Sequence, residues 1–192
     1  METKSIVFVG VGGQGALLAS RIIGHVLLSE GYDVKVSEVH GMSQRGGSVV
    51  TYVRYGDSLG SPIVFEGGAD CIVSFEKLEA LRSVPYLKPD GLLISNSYEI
   101  DPMPVVTGAM EYPKDVFEKI RSMGIKLIEL DALEIAKKAG NVKCVNVVLI
   151  GVLARHLNIP EKAWIDALRE VVNPKFLDVN IRAFGLGYNT NL

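Results

Sequence analysis

The sequence predicts a single-domain α/β protein: a Rossmann-like three-layer sheet, mixed rather than purely parallel, with a helical C-terminal third. Three observations carry that prediction. An apolar strand over residues 5–9 runs into a glycine loop that opens a long apolar helix, the start of a doubly wound sheet. A second strand, 33–38, is joined to a third, 48–55, by the nine residues 39–47. Parallel neighbours need a crossover of about a dozen residues or more, so the third strand is antiparallel to its neighbour or placed elsewhere in the sheet. Beyond residue 131 only helical patterns follow.

The elements follow in order. The helix from Gly15 to about Leu28 is apolar on most sides (Leu17, Leu18, Ile22, Ile23, Val26, Leu27), which suits a helix packed against a sheet and against a second surface. Gly31 ends the unit. Val34 and Val36 alternate in the second strand, and the third is strongly β-branched. A buried strand at 69–75 leads to a helix over 76–87 with Leu78, Leu81 and Val84 three apart. Lys88-Pro89-Asp90-Gly91 is turn chemistry before a strand at 92–96. The stretch holding Pro102 and Pro104 carries Val105-Val106 as a short edge strand. Pro113 starts a helix that Gly124 ends, and 125–130 is a strand. Asp131 caps a helix to Ala139, an apolar helix spans 145–157, and Pro160 and Pro174 open the last two. The domain is expected to occupy residues 1–184, with 185–192 a loose tail.

Composition narrows the function classes. Twenty Lys+Arg against 22 Asp+Glu give a formal charge of -2, which argues against nucleic acid. No apolar run approaches the roughly 20 residues of a membrane span, and the polar start is no signal peptide, so a cytoplasmic protein without membrane contact is expected. The two cysteines, Cys71 and Cys144, lie far apart in apolar surroundings and read as buried thiols; a Cys₄ cluster or zinc site needs more ligands. His25, His40 and His156 are too scattered to suggest a metal site.

The chemistry concentrates in two glycine loops. Gly10, Gly12 and Gly15 satisfy the G-x-G-x-x-G spacing that cradles a dinucleotide pyrophosphate at a helix N-terminus, and Gly13 and Gln14 complete the loop. Gln14 offers an amide at the loop tip, free for protein or ligand. Glu38 ends the second strand roughly 20 residues past the last glycine, near where an acidic residue would hold a ribose hydroxyl. One reading is therefore an NAD(P)-binding oxidoreductase acting alone. The missing crossover opposes it. In its place stands the second loop: His40, Gly41, Met42, Ser43, Gln44, Arg45, Gly46 and Gly47. Gln44 and Arg45 bring two and five N–H donors, and the glycine pair lets the backbone lie flat against a partner. Arg45 suits a carboxylate or phosphate, or equally an intersubunit ion pair. Asn146 reads as a helix cap or a site contact. Glu76, Glu79 and Arg82, three apart on one helix, read as a surface ion-pair row or as interface contacts.

Gly10-Val-Gly-Gly-Gln-Gly15 followed by Glu38-Val-His-Gly-Met-Ser-Gln-Arg-Gly-Gly47 resembles the gamma-type module of the 2-oxoacid:ferredoxin oxidoreductases, most closely their indolepyruvate branch. The similarity runs over most of the chain, through Ala69-Asp70, Glu76-x-x-Glu79-x-x-Arg82, Asp131, and Gly140-Asn141 leading to Asn146 and Gly151. The resemblance implies an oxidoreductase subunit that is not catalytic alone and binds no cofactor by itself. It implies a large partner subunit that carries thiamine diphosphate, Mg²⁺ and [4Fe–4S] clusters, with coenzyme A as co-substrate and ferredoxin as electron acceptor. The family's thiamine pattern, Gly-Asp-Gly with a downstream Asn, is missing here; Gly56-Asp57-Ser58 is the nearest approach. The two glycine loops are then expected to form one face that docks near the partner's thiamine site.

Overall fold

The computed structural model of the chain describes residues 3–41 and 46–190. Among these residues six strands form one sheet: β1 (Lys4–Val11), β2 (Asp33–His40), β3 (Ser48–Gly56), β4 (Ala69–Ser74), β5 (Leu87–Asn96) and β6 (Lys126–Leu130), in the spatial order β2-β3-β1-β4-β5-β6. β1, β4, β5 and β6 are parallel, whereas β3 is antiparallel to both β1 and β2. The mixed sheet follows from the short β2–β3 connection. With no crossover helix between them, β2 and β3 pair as a hairpin from Asp33↔Gly56 to His40↔Val49, and β3 alone lies against β1.

Side chains alternating along β1 build two cores, one on each side of the sheet. Ile6 and Phe8 join the larger, with α1 (Ala16–Ser29), α5 (Ala132–Ala139), α6 (Val145–Ala154), α7 (Glu161–Val171) and α8 (Leu177–Tyr188). Val7 and Val9 join the smaller, with Ala80 of α2 (Lys77–Ser83) and Val116, Phe117 and Ile120 of α4 (Val116–Ser122). Helix–sheet–helix is the expected three-layer arrangement, and the last third of the chain is helical as predicted. α6 is buried over nearly its whole circumference, the fate of a helix that is apolar all round.

Two expectations are corrected. Val105 and Val106 form no edge strand; they lie in α3 (Met103–Val106). Extended Pro102 stands at its start, and Pro104 occupies the first turn, where a missing N–H costs nothing and the fixed φ suits a helix. Nor is 185–188 a loose tail: α8 runs to Tyr188. Gly187 lies against α6 so closely that a Cβ would stand 2.1 Å from the Val148 carbonyl oxygen, and one on Gly151 would stand 2.3 Å from that of Phe184. The glycines that looked like helix breakers are where two helices touch. Smaller differences lie at element ends: β5 begins at Leu87, the last residue of the expected helix, and runs through the expected turn at 88–91, and α4 begins at Val116, after Asp115 in the left-handed region at φ 56°.

Candidate functional site

The two glycine loops meet at the carboxyl ends of the parallel strands, where open α/β sheets bind their ligands. Val11 pairs with Ser48 in the β1–β3 ladder, and the ladder is prolonged by one bond, from the Gly12 N–H to the Gly47 carbonyl at 2.8 Å. This bond joins the two loops. Gly10 is needed for space, since a Cβ there would lie 2.7 Å from Gln14 Oε1 and 3.0 Å from the Phe75 ring. Gly13 and Gly15 are needed for conformation, at φ 100° and 87°.

Two side-chain amides hold the first loop in place, and a third braces the Phe75 carbonyl that one of them uses. Gln14 Oε1 accepts from the Val11 N–H at 2.7 Å, and its Nε2 donates to the Phe75 carbonyl at 3.0 Å. The amide expected to be free for a ligand is therefore spent within the chain. Asn146 Nδ2 donates to the Gly15 carbonyl at 3.1 Å while its Oδ1 accepts from the Val147 N–H. Asn146 is thus no helix cap; Asn141 fills that role on the short 3₁₀ turn just before α6, accepting from Lys143 N–H. The third amide, buried Asn96, donates to the same Phe75 carbonyl and accepts from Ala132 N–H at the start of α5. Sequence reasoning missed Asn96, whose only signal was a polar residue closing an apolar strand.

Behind this clamp, α1 begins at a left-handed Gly15 with no side-chain cap and no acidic residue in its first turn. Its leading N–H groups carry the positive end of the helix dipole and face a hollow of about 320 Å³. Glu38 and His40, both exposed on β2, line the same hollow, and Thr51 Oγ donates to Glu38 Oε2 at 3.4 Å. His40 Nδ1 lies 3.2 Å from the Gly41 carbonyl oxygen. β2 reaches the hollow as the sheet edge, with β3 between it and β1; a dinucleotide fold has its acidic residue on the strand beside β1. On the other side of the loop a second hollow, about 500 Å³, is lined by Tyr98, Leu133, Val142, Lys143 and Val145, none of them foreseen. Leu17 stands 59% exposed in the first turn of α1. Gly41, Gly46 and Gly47 flank this face in the second loop, while Met42, Ser43, Gln44 and Arg45 lie outside the described residues.

The acidic helix is no surface row. Glu76 is 1% exposed and caps α2, taking the Glu79 N–H on one oxygen and the Ile100 N–H and Tyr112 hydroxyl on the other. Burial and the neighbouring Glu76 carboxylate push the Tyr112 hydroxyl upward. Glu79, also buried, accepts from Ser48 Oγ at 2.6 Å and from Arg82 at 2.6 Å, which fastens the start of β3 to α2. Both cysteines are buried, and burial pushes Cys71 up to about 12, so neither is a ready thiolate. Among the described residues no three His, Cys, Asp or Glu side chains gather as metal ligands, and no helix is long and apolar enough to cross a membrane.

Residues 5–190 match the protein family described as pyruvate ferredoxin/flavodoxin oxidoreductase. The chain is 46% identical over 192 residues to indolepyruvate oxidoreductase subunit IorB of Thermococcus kodakarensis, covering 97% of this chain and 95% of the relative. It is 41% identical to the subunit of the same name from Archaeoglobus fulgidus, over 96% of this chain and 94% of the relative. Two solved structures share the fold. Pyruvate oxidoreductase subunit PORC of Thermotoga maritima has a TM-score of 0.75 at 23% identity, with 98% of this chain and 96% of that one covered. The keto/oxoacid ferredoxin oxidoreductase gamma subunit of Geobacter sulfurreducens has a TM-score of 0.72 at 21% identity, with 96% of each chain covered.

Proposed function

The chain belongs to the pyruvate ferredoxin/flavodoxin oxidoreductase family, and on that premise we propose that it is the small subunit of a 2-oxoacid:ferredoxin oxidoreductase acting on indolepyruvate or related aryl pyruvates. In this reading it supports a coenzyme A-dependent oxidative decarboxylation carried out on a large partner subunit, in the cytoplasm. Thiamine diphosphate, Mg²⁺ and the [4Fe–4S] clusters belong to that partner, and ferredoxin accepts the electrons. The relatives that cover nearly the whole chain at 41% and 46% identity carry the substrate assignment.

The observation that carries the subunit role is the character of the glycine face. The amides of Gln14 and Asn146 are consumed in holding the first loop, so that loop is stiff. The described residues of the face present outward backbone, the open N-terminus of α1, and the exposed side chains of Leu17, Glu38 and His40. Among the described residues of this face no nucleophile stands paired with a base, and in our reading it docks and shapes a neighbouring pocket. In our reading the face closes over the thiamine site of the partner and helps order the substrate or coenzyme channel. Arg45 is assigned to an anionic group there, or to an ion pair across the interface.

Anaerobic purification of the tagged chain from its native source tests the reading. We expect recovery of a large, cysteine-rich, thiamine-binding chain and 2-oxoacid-dependent reduction of ferredoxin by the eluate. A chain that elutes alone and binds NADH would return the stand-alone dehydrogenase. In the reconstituted complex, Arg45→Ala should weaken assembly or turnover; with both unchanged, the second loop has no part in the function.

A further inference from the structure

At the end of the sheet opposite the glycine loops lies another hollow, about 520 Å³, within the range of small-molecule sites. The eight residues of β1 separate the two ends by roughly 25 Å. β1 and β4 begin at this hollow, β3 ends there, and the end of α6 with the turn after it closes one side. Ile6, Leu92, Leu153 and Ile159 supply an aliphatic lining. Tyr32 and Tyr55 supply an aromatic one, with ring centroids 5.3 Å apart and planes at 73°. Burial, Asp70 and Tyr32 push the Tyr55 hydroxyl up to about 12.

One polar group in that lining is fixed in place. Asp70 Oδ1 accepts from Lys88 at 2.8 Å and from Lys4 at 3.3 Å, and Oδ2 accepts from the Ser5 N–H at 2.8 Å. Each carboxylate oxygen has two acceptor positions, so Oδ2 retains one. A ligand ammonium entering here would meet Lys4 and Lys88, and a ligand carboxylate would meet Asp70. A neutral donor meets neither obstacle.

The geometry points to a binding site for a small, neutral aromatic molecule that carries an O–H or N–H donor. The ring packs against the tyrosine pair, which favours an edge-to-face or offset third ring. The donor goes to the remaining position on Asp70 Oδ2, a charge-assisted bond. The site shares no residue with the glycine face and stands whether or not the chain is an oxidoreductase subunit.

Ligand-observed NMR titration of the full chain with phenol and with anisole tests this. Anisole keeps the ring and the oxygen but has no proton to donate. Phenol should bind, and anisole at least about tenfold more weakly, the loss expected for one hydrogen bond to a charged acceptor. Leu157→Trp, which fills the hollow, should weaken phenol at least tenfold. His156→Trp should do the same from an exposed rim position where folding is not at stake. Leu17→Ala, at the glycine face, should leave phenol binding unchanged. Absence of phenol binding, equal binding of anisole, or phenol binding that survives either tryptophan variant would overturn the proposal.

Discussion

Gln14 and Asn146 turn a flexible glycine loop into a fixed surface, and each works through a partner that local sequence does not reveal. Gln14 reaches a carbonyl 61 positions away and Asn146 one 131 positions away. That is why one reads as a free amide and the other as a helix cap. The glycines themselves were legible, because G-x-G-x-x-G between a strand and a helix has a backbone reason at each position. Gly15→Ala should be among the costliest changes in the loop. It forces φ 87° on a residue with a Cβ and drives that atom to 2.5 Å from Asn146 Nδ2. The backbone penalty alone is about 1–2 kcal/mol, so urea unfolding should show at least that loss. A second prediction concerns Asp70. Burial raises its carboxyl, but the bonds from Lys88 and the Ser5 N–H outweigh it and hold the group below its ordinary 3.8. A depressed carboxyl contributes stability above the unfolded value and loses it as pH falls through the folded one. The stability difference between the wild type and Asp70→Asn should therefore be constant above about pH 5 and close as the pH drops through 3.8 and below. A difference that stays constant into acid would remove the ionic contribution.

Among the elements, β1, β4 and the long helices are legible from period and flanking turns alone. Where the reading failed, a local cue had two meanings. Valine pairs suggest strand, but Pro102 and Pro104 preset the helical turn of α3. Glycines near the end of the chain suggest a loosened tail, yet Gly187 and Gly151 are the contact between α8 and α6. A glycine that permits close approach and a glycine that ends a helix look the same until the second helix is in place. Glu76 and Glu79 show the same ambiguity: their spacing suggests an exposed charge row, but partners from β3, Ile100 and Tyr112 draw both inward. Gly187→Ala measures the helix crossing. Its Cβ would lie 2.1 Å from a backbone oxygen that cannot turn aside, so the helices must separate. Overpacking of this kind costs about 1–3 kcal/mol, and thermal unfolding should show a lowered Tm with the fold retained. An unchanged Tm would mean that α8 is held by other contacts.

Taken whole, the molecule places its rigid glycine face at one end of the sheet and an aromatic hollow at the other, with buried α6 running between them. The fold class was legible because the short link between β2 and β3 excludes a crossover, which makes the sheet mixed. The insertion of β3 between β1 and β2 was not legible, since it depends on which edges pair and not on any one strand's pattern. That insertion sets Glu38 on the sheet edge, two strands from β1, while still letting it face the glycine loop. In our reading this end of the molecule docks on the thiamine-bearing subunit. Amide hydrogen exchange of the chain, alone and with the purified large subunit, tests it most directly. Docking through the glycine face gives strong protection on complex formation at residues 12–17 and 38–41, with little change at 153–159. Protection confined to other surfaces, with exchange at 12–17 and 38–41 unaltered, would contradict it.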